Sequence, residues 1–161
     1  MIDLCIQRYP VLAICRDDIQ AATDRLIACF ENGGKLLICG NGGSSADAEH
    51  IAGELMKGFL KKRPILQEKR FGMCANVPQM IDLLDNLQEG LPAIPMPSLT
   101  GLNSAYCNDV DPSMIYAQSV LALAKPEDIL LGISTSGNSK NVVNAAMTAK
   151  SLGVTVLTLT G

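Results

Sequence analysis

Apolar residues recur at helical spacing near the start of the chain and predict a long helix before any strand. They lie three or four positions apart for most of the run, which comprises Ile19, Ala22, Leu26, Ile27 and Phe30. Gly33-Gly34 follows directly as a stop signal for the helix. Residues 1–32 are therefore predicted to form helices that precede the first strand.

Three short apolar runs then predict β-strands, at residues 35–39, 128–133 and 154–159. A weaker strand is predicted near residues 93–96. Polar loops follow the first two runs and lead into predicted helices at about 44–59 and from the second loop to about Leu152. Strands that alternate with helices and are apolar on both faces indicate a parallel sheet covered on two sides. We predict an α/β fold with a doubly wound parallel sheet flanked by helices.

Residues 65–91 look like a helical excursion between strands, because Pro64, Pro78 and Pro92 punctuate them. Within this excursion, residues 79–87 have the most helical pattern. We predict a single domain over residues 1–161 that carries the excursion as an insertion. The sequence stops at Thr160-Gly161, directly after a strand, where a doubly wound sheet normally continues into a loop and a helix. We therefore expect it to be truncated at the C-terminus.

Composition narrows the class of protein. Hydrophobic residues make up 48% of the chain and charged residues 18%, as in ordinary soluble α/β proteins. The net charge of −3 gives no reason to expect nucleic-acid or membrane binding. The six cysteines form no C-x-x-C pair, which favours reduced thiols over disulfides or a zinc finger. No signal peptide is recognisable, so we expect a cytoplasmic protein.

The loop after the second long strand concentrates hydroxyl groups at the start of a helix. Its hydroxyl side chains belong to Ser134, Thr135, Ser136 and Ser139. Free backbone N–H groups at a helix N-terminus attract anions, and small hydroxyls donate to phosphate oxygens without crowding them. The same residue types are also common in well-capped turns. Phosphate binding and a purely structural turn both remain open from this pattern.

The loop after the first strand, residues 40–45, occupies the equivalent position. It has no lysine of the P-loop type, and Ser45 stands where a dinucleotide motif has its third glycine. We therefore expect no nucleotide cofactor. A structural interpretation is that Ser44 and Asp47 form a capping box for the next helix.

That helix carries His50 and Glu54 at i, i+4 spacing, and His50 is the only histidine of the chain. Such a pair can share a metal ion, take part in proton transfer or form a simple surface hydrogen bond. We interpret the basic residues beyond it as a solvated helix end in preference to a second phosphate site; they are Lys57, Lys61, Lys62 and Arg63.

These segments resemble the SIS (sugar isomerase) family, and within it the phosphoheptose isomerases. The run from Gly40 to His50, followed by Glu54, is similar to the signature of that branch, and residues 130–139 are similar to its phosphate-binding segment. Asn108-Asp109 resembles the substrate-contacting pair between them. The matches come in the family's order and cover most of residues 33–161. The resemblance implies the SIS-type, flavodoxin-like version of the fold.

The resemblance also implies roles for individual residues. The residues that would contact a sugar phosphate are Asn41, Gly42, Gly43, Glu54, Asn108 and Asp109, and those that would hold its phosphate are Ser134, Thr135, Ser136 and Ser139. Glu54, aided by His50, would move a proton through an enediol in the isomerisation of sedoheptulose 7-phosphate to D-glycero-D-manno-heptose 7-phosphate. In members that bind zinc, His50 and Glu54 would supply two ligands. Other members carry a further helix with a Gln and a His, to which nothing here corresponds.

Two functions from different classes follow from the resemblance. The first is the isomerase, and the alternative is a non-catalytic domain that senses sugar phosphates or binds a partner, as in a replication-initiator-associating member. The carboxylate of Glu54 beside His50 favours chemistry. A homotetramer with sites between subunits is implied, and apolar residues near the N-terminus also favour self-association; they include Val11, Leu12, Ile14, Leu26 and Phe30.

Overall fold

A computed structural model describes residues 1–161, and its centre is one parallel sheet of four strands. The strands are β1 (Leu36–Gly40), β2 (Ala93–Pro95), β3 (Ile129–Ser134) and β4 (Thr155–Thr160), in the order β2-β1-β3-β4. All strand pairs are parallel. The predicted α/β class and all four predicted strands are confirmed, the three longer strands each being displaced by one residue from the predicted bounds.

Seven α-helices surround the sheet: α1 (Ile2–Arg8), α2 (Arg16–Glu31), α3 (Gly43–Met56), α4 (Gln67–Asn76), α5 (Thr100–Asp109), α6 (Ile115–Leu123) and α7 (Lys140–Ser151). Short 3-10 turns lie at Pro10–Cys15, Pro78–Asp82, Leu84–Asn86, Met96–Ser98 and Pro112–Met114. None of the helices combines the length and the apolar character that crossing a bilayer would require.

Helices cover both faces of the sheet, so the doubly wound arrangement is confirmed. On one face, Ile38 of β1 and Ile133 of β3 pack with Ala48 and Ala52 of α3 and with Cys29 of α2. On the other face, Leu37 and Cys39 of β1 pack with residues of α6 and α7, among them Val120, Val142 and Ala145. All residues of β1 and β3 are buried, as expected for central parallel strands.

The strand order places a topological switch between β1 and β3. From β1 the chain first proceeds to β2 on one side, and then returns to β3 and β4 on the other. The loop after β1 accordingly leads to α3 on one face, whereas the loop after β3 leads to α7 on the opposite face. Ligands of open α/β sheets bind at such a switch point, outside the carboxyl ends of the strands. The flavodoxin-like order is the one that the resemblance implied.

Two helix predictions need correction. Helix α3 ends at Met56, not near residue 59, because Lys57 is extended and the N–H of Gly58 donates to Gln88 Oε1 at 2.8 Å. In the excursion, the α-helix is Gln67–Asn76, whereas residues 79–87 contain only 3-10 turns. Pro78 lies at the start of the first turn, where it cannot continue the backbone hydrogen bonding of α4.

Candidate functional site

The two polar loops leave the sheet side by side at the carboxyl end. Gly40, the last residue of β1, lies in register with Ile133, the residue before Ser134 in β3. A Cβ at Gly40 would lie 2.8 Å from the carbonyl oxygen of Ser44, so only glycine permits this tight entry into α3. Gly42 has a φ of 56°, which also favours glycine. The glycines therefore bring the start of α3 close to the end of β1.

The predicted capping box at the start of α3 is wrong. The helix begins at Gly43, with Gly42 as its N-cap, and no side chain caps it. Ser44 is a buried residue inside the first turn instead. Because β1 and α3 approach so closely here, the glycines occupy the capping positions and no Ser–Asp exchange of hydrogen bonds forms.

Residues 134–139, here named the hydroxyl loop, form a compact turn that ends at α7. Ser134 is buried, and its hydroxyl donates to Ser139 Oγ at 3.0 Å. Gly137 has a φ of 67° and closes the turn through a hydrogen bond from its N–H to the carbonyl of Ser134. Ser136 Oγ accepts from the N–H of Asn138 at 3.3 Å. The backbone N–H groups of Ser136 and Ser139 donate to no other group of the chain, so donors suitable for an anion are available.

A reciprocal amide pair joins the two loops. Asn41 Nδ2 donates to Asn141 Oδ1 at 2.8 Å, and Asn141 Nδ2 donates to Asn41 Oδ1 at 2.9 Å. Asn41 follows β1, and Asn141 lies in the first turn of α7. The hydroxyl of Tyr116, on α6, donates to the carbonyl of Gly40 at 2.7 Å. Burial, and secondarily the neighbouring Cys39, raises the pKa of Tyr116 to about 12, so the phenol stays protonated.

On α3, Glu54 lies between two basic side chains. Its Oε1 is 2.9 Å from Lys57 Nζ and 3.9 Å from His50 Nε2. The second distance is too long for a hydrogen bond, and the His50 side chain is 79% exposed. Glu54 Oε2 is buried without a hydrogen-bond partner. One carboxylate oxygen is thus held by Lys57, while the other has its hydrogen-bonding capacity unused.

Glu54 and His50 line a cavity of about 500 Å³ beside the carboxyl ends of the strands. The other lining residues are Asp47, Ile51, Leu55, Ile133 and Leu159. Ile133 immediately precedes the hydroxyl loop, so this cavity and that loop share one edge of the sheet. The structure therefore places Glu54, His50 and Ile133, near the end of β3, around one cavity. The lining combines apolar walls with a few polar groups, which is typical of a small-molecule site.

The zinc interpretation can be tested on the donor set. Zinc sites need at least three protein ligands, and the chain groups no three His, Cys, Asp or Glu side chains suitably. His50 and Glu54 supply two ligands, and Glu54 Oε1 is already paired with Lys57. These residues alone do not fit a zinc ion, and no catalytic step is assigned to one.

The predicted pair Asn108-Asp109 ends helix α5. Both residues are exposed at the end of α5, and Asn108 Nδ2 donates to Asp109 Oδ1 at 2.8 Å. Neither lines the cavity, and neither hydrogen-bonds to residues 40–45 or 134–139. No residue of 40–45 or 134–139 lines the cavity either, so the substrate contacts of Asn108 and Asp109 stay a prediction.

Sequence reasoning missed several residues that shape the site. Lys57 is 56% exposed, as interpreted for a solvated helix end, but it also pairs with Glu54. Arg63 differs from that interpretation, because it donates to the carbonyls of Leu55 and Glu89. The i, i+3 spacing of Glu54 and Lys57 was a usable signal. No local sequence pattern predicts the contacts of Asn141 and Tyr116, because their partners are distant in the sequence.

The chain is similar in sequence to one family over most of its length. Residues 11–83 and 90–161 match the model of a family described as "SIS domain". The phosphoheptose isomerase of Desulfovibrio desulfuricans is 39% identical over 137 residues, which are 85% of this chain and 53% of that protein. The phosphoheptose isomerase of Helicobacter pylori is 40% identical over 136 residues, covering 84% and 58% respectively. The chain thus spans little more than half the length of these curated relatives.

Solved structures agree in fold. The phosphoheptose isomerase from Neisseria gonorrhoeae superimposes with a TM-score of 0.70 at 31% identity, covering 98% of this chain and 68% of that one. The phosphoheptose isomerase from Francisella tularensis also gives 0.70, at 29% identity, with coverages of 99% and 75%. The gap at residues 84–89 between the two family-matched segments lies inside the excursion.

Proposed function

Since the chain belongs to the SIS domain family, we propose that it is the sugar-phosphate-binding and base-bearing part of an aldose–ketose isomerase of the phosphoheptose type. The reaction converts sedoheptulose 7-phosphate to D-glycero-D-manno-heptose 7-phosphate. The proposal rests mainly on the position and hydrogen bonding of the Glu54 carboxylate. Its Oε2 is buried without a partner while its side chain lines the cavity next to β3.

The loops supply the binding half of the proposal. The sugar's phosphate carries negative charge, and the unbonded N–H groups of Ser136 and Ser139, at the start of α7, are donors for it. The hydroxyls of Ser134, Thr135, Ser136 and Ser139 add further donors. Anchoring the phosphate at one end of the sugar limits how the carbonyl end can lie, which lowers the entropic cost of reaching a reactive geometry.

Glu54 supplies the chemical half. Its Oε2 takes the proton from the carbon next to the sugar carbonyl while the carbonyl oxygen takes a proton from water, which gives an enediol. The Glu54 carboxyl then returns its proton to the former carbonyl carbon, while the hydroxyl on the neighbouring carbon loses its proton to water and becomes the new carbonyl. The pairing of Oε1 with Lys57 holds the carboxylate in place, while Oε2 stays without a partner inside the chain. His50, at 3.9 Å from Oε1, lies close enough to interact with Glu54 electrostatically in its protonated form.

The proposal is tested by replacing the base. Glu54→Gln removes the proton acceptor but keeps the shape, so turnover of sedoheptulose 7-phosphate by the full-length protein should fall by about 10²–10⁴-fold with binding retained. Glu49→Gln is a matched control on α3, because Glu49 bonds to Ser98 and does not line the cavity. Ser136→Ala should weaken binding by about 0.5–3 kcal/mol instead.

Proton exchange from D₂O, followed by NMR, separates the possible outcomes. Wild-type-like turnover and exchange in Glu54→Gln would eliminate Glu54 as the base. If the wild-type protein bound the sugar phosphate but neither isomerised it nor exchanged protons, the non-catalytic sensing domain would replace the isomerase. That domain is the alternative function from the other class.

The same proposal includes the setting of the protein. We place it in the cytoplasm as a homo-oligomer, with a tetramer as the expected form. Support for self-association comes from apolar side chains exposed near the N-terminus, with Val11 81% and Ile14 94% exposed. No nucleotide cofactor and no zinc-dependent step form part of the proposal.

A further inference from the structure

The amide pair between Asn41 and Asn141 links two segments that carry the proposed site. Both hydrogen bonds are short, at 2.8 and 2.9 Å, and the residues are separated by 100 positions in the sequence. Asn41 begins the loop that leads to α3, and Asn141 lies in the first turn of α7 on the opposite face. The pair therefore spans the switch point between β1 and β3.

The Asn41 side chain makes most of its hydrogen bonds within the chain. One N–H of Nδ2 donates to Asn141, and Oδ1 accepts from Asn141. Oδ1 also lies 3.4 Å from the Tyr116 hydroxyl, whose shorter bond, at 2.7 Å, goes to the carbonyl of Gly40. Asn141 Oδ1 also accepts from the N–H of Val142 at 3.0 Å. The second N–H of Asn41 Nδ2 is left for a ligand without loss of the pair.

Tyr116 connects the pair to the core. It is buried on α6, and its hydroxyl bonds to the carbonyl of Gly40, the residue before Asn41. Gly40 in turn permits the close approach to Ser44. The position of Asn41, and with it the spacing between the two loops, is therefore determined by both α6 and α7.

We propose that Asn41 and Asn141 are positioning residues. They hold the hydroxyl loop and the loop of residues 40–45, named the α3 loop, at a fixed spacing so that both loops act on one ligand. In this proposal, the Asn41 side chain contributes to binding through its pair with Asn141, whether or not its second N–H also contacts the ligand. The proposal deepens the proposed function, since it rests on the hydroxyl loop being the phosphate site. It predicts that the two side chains are energetically coupled during phosphate binding.

A double-mutant cycle in the full-length protein tests this coupling. The dissociation constants for inorganic phosphate and for sedoheptulose 7-phosphate are measured by calorimetry for wild type, Asn41→Ala, Asn141→Ala and the double variant. Each single change should weaken binding roughly tenfold, and the double variant should be no weaker than either single variant. Asn144→Ala is the matched control, because Asn144 also lies on α7 but donates to Ser113. It should leave binding unchanged.

The Asn141→Asp variant adds a graded test. Its carboxylate can still accept from Asn41 Nδ2 but cannot donate to Asn41 Oδ1, so it should fall between wild type and Asn141→Ala in amide protection of the α3 loop. Steady-state kinetics supply a further readout. Asn141→Ala should raise KM for sedoheptulose 7-phosphate more than it lowers kcat, because Glu54 is untouched.

Hydrogen exchange distinguishes failure of this inference from failure of the proposed function. Asn41→Ala should accelerate amide exchange at Gly137 and Asn138, whose N–H groups are hydrogen-bonded within the loop, whether or not any sugar phosphate binds. Asn141→Ala should accelerate it at Ser44 and Ser45, whose N–H groups are also bonded. Unaltered exchange across the pair, or additive losses of phosphate affinity in the double variant, would overturn the inference. A wild-type protein that bound no phosphate but showed the cross-loop exchange effect would refute only the proposed function and its ligand.

Discussion

Removal of the Asp128 carboxylate should destabilise the fold without disturbing the candidate site. Asp128 lies just before β3 at the amino end of the sheet, and its side chain is only 2% exposed. Three donors converge on it: Lys35 Nζ at 2.5 Å, the N–H of Lys35 at 2.9 Å and the N–H of Lys125 at 2.7 Å. The carboxylate thereby ties the start of β1 to the start of β3.

The magnitude follows from the burial of this pair. Truncation of one partner of a buried ion pair costs about 3–5 kcal/mol, because the other charge stays behind without compensation. The 21% exposure of Lys35 lets water reach its ammonium group and favours the lower part of that range. For a chain of this size, each kcal/mol lowers Tm by about 2–4 °C. Asp128→Ala should therefore lower Tm by roughly 6–20 °C.

Urea unfolding followed by circular dichroism measures the effect. Asp128→Asn should also be destabilised, because its NH₂ group would face donors where Asp128 Oδ2 now accepts two hydrogen bonds. Asp85→Ala is a suitable control, since Asp85 forms an ion pair with Arg70 but is 84% exposed and should contribute only about 0–1 kcal/mol. A free energy of unfolding for Asp128→Ala within about 0.5 kcal/mol of wild type would refute the reasoning.

The pH dependence gives an independent check on Asp128. Burial by itself would raise the pKa of this carboxyl, but the hydrogen bonds from Lys35 and Lys125 outweigh burial and lower the pKa below 3.8. A lowered folded-state pKa means that the stabilisation is complete above the unfolded value and is lost as the pH falls through the folded value. The stability difference between wild type and Asp128→Asn should therefore be constant near neutrality and shrink below pH 3.8.

Two further predictions concern the loops and the surface. Gly40→Ala would place a Cβ 2.7 Å from Ser44 Cβ and 2.8 Å from its carbonyl oxygen, so it should cost about 1–3 kcal/mol in stability and weaken phosphate binding by displacing Asn41; a variant as stable as wild type would contradict the close approach. Light scattering at micromolar concentration should return an oligomer mass, and Val11→Glu with Ile14→Glu should lower it because charges would replace exposed apolar side chains. A monomer mass for wild type would count against self-association.

The regular parts of the fold could be predicted because their signals are local. An apolar run followed by a glycine-containing loop marks β1 and β3, since central parallel strands are buried on both faces. The excursion was harder, because its apolar residues are mostly exposed and only Ile65 and Leu84 are buried. With few core contacts to impose a period, the pattern of residues 79–87 did not distinguish an α-helix from 3-10 turns.

Proximity within the site could be predicted for residues that are close together in the sequence. His50 and Glu54 share one face of a single helix, and the hydroxyl groups lie within one loop, so their proximity follows from helix and strand geometry. The contacts that relate these parts to one another are of a different kind. Asn41 meets Asn141 across 100 positions, and Tyr116 meets Gly40 across 76, only because β1 and β3 are neighbours at the switch point. Asparagine in the first turn of a helix is too common to announce such a partner.

Residues proposed to react with or bind the ligand can therefore be recognised from sequence more readily than residues proposed to position them. Glu54 and the serines belong to residue types whose reactivity or donor capacity can be recognised in isolation. An amide pair has no reactivity of its own, and its effect depends entirely on which backbone segments it joins. The ladder between β1 and β3 fixes where the two loops begin, because Gly40 lies in register with Ile133. Beyond the strands, α3 and α7 diverge to opposite faces of the sheet. The Asn41–Asn141 pair joins the chain segments where they diverge, which is why a small loss of hydrogen bonding there should reach both loops.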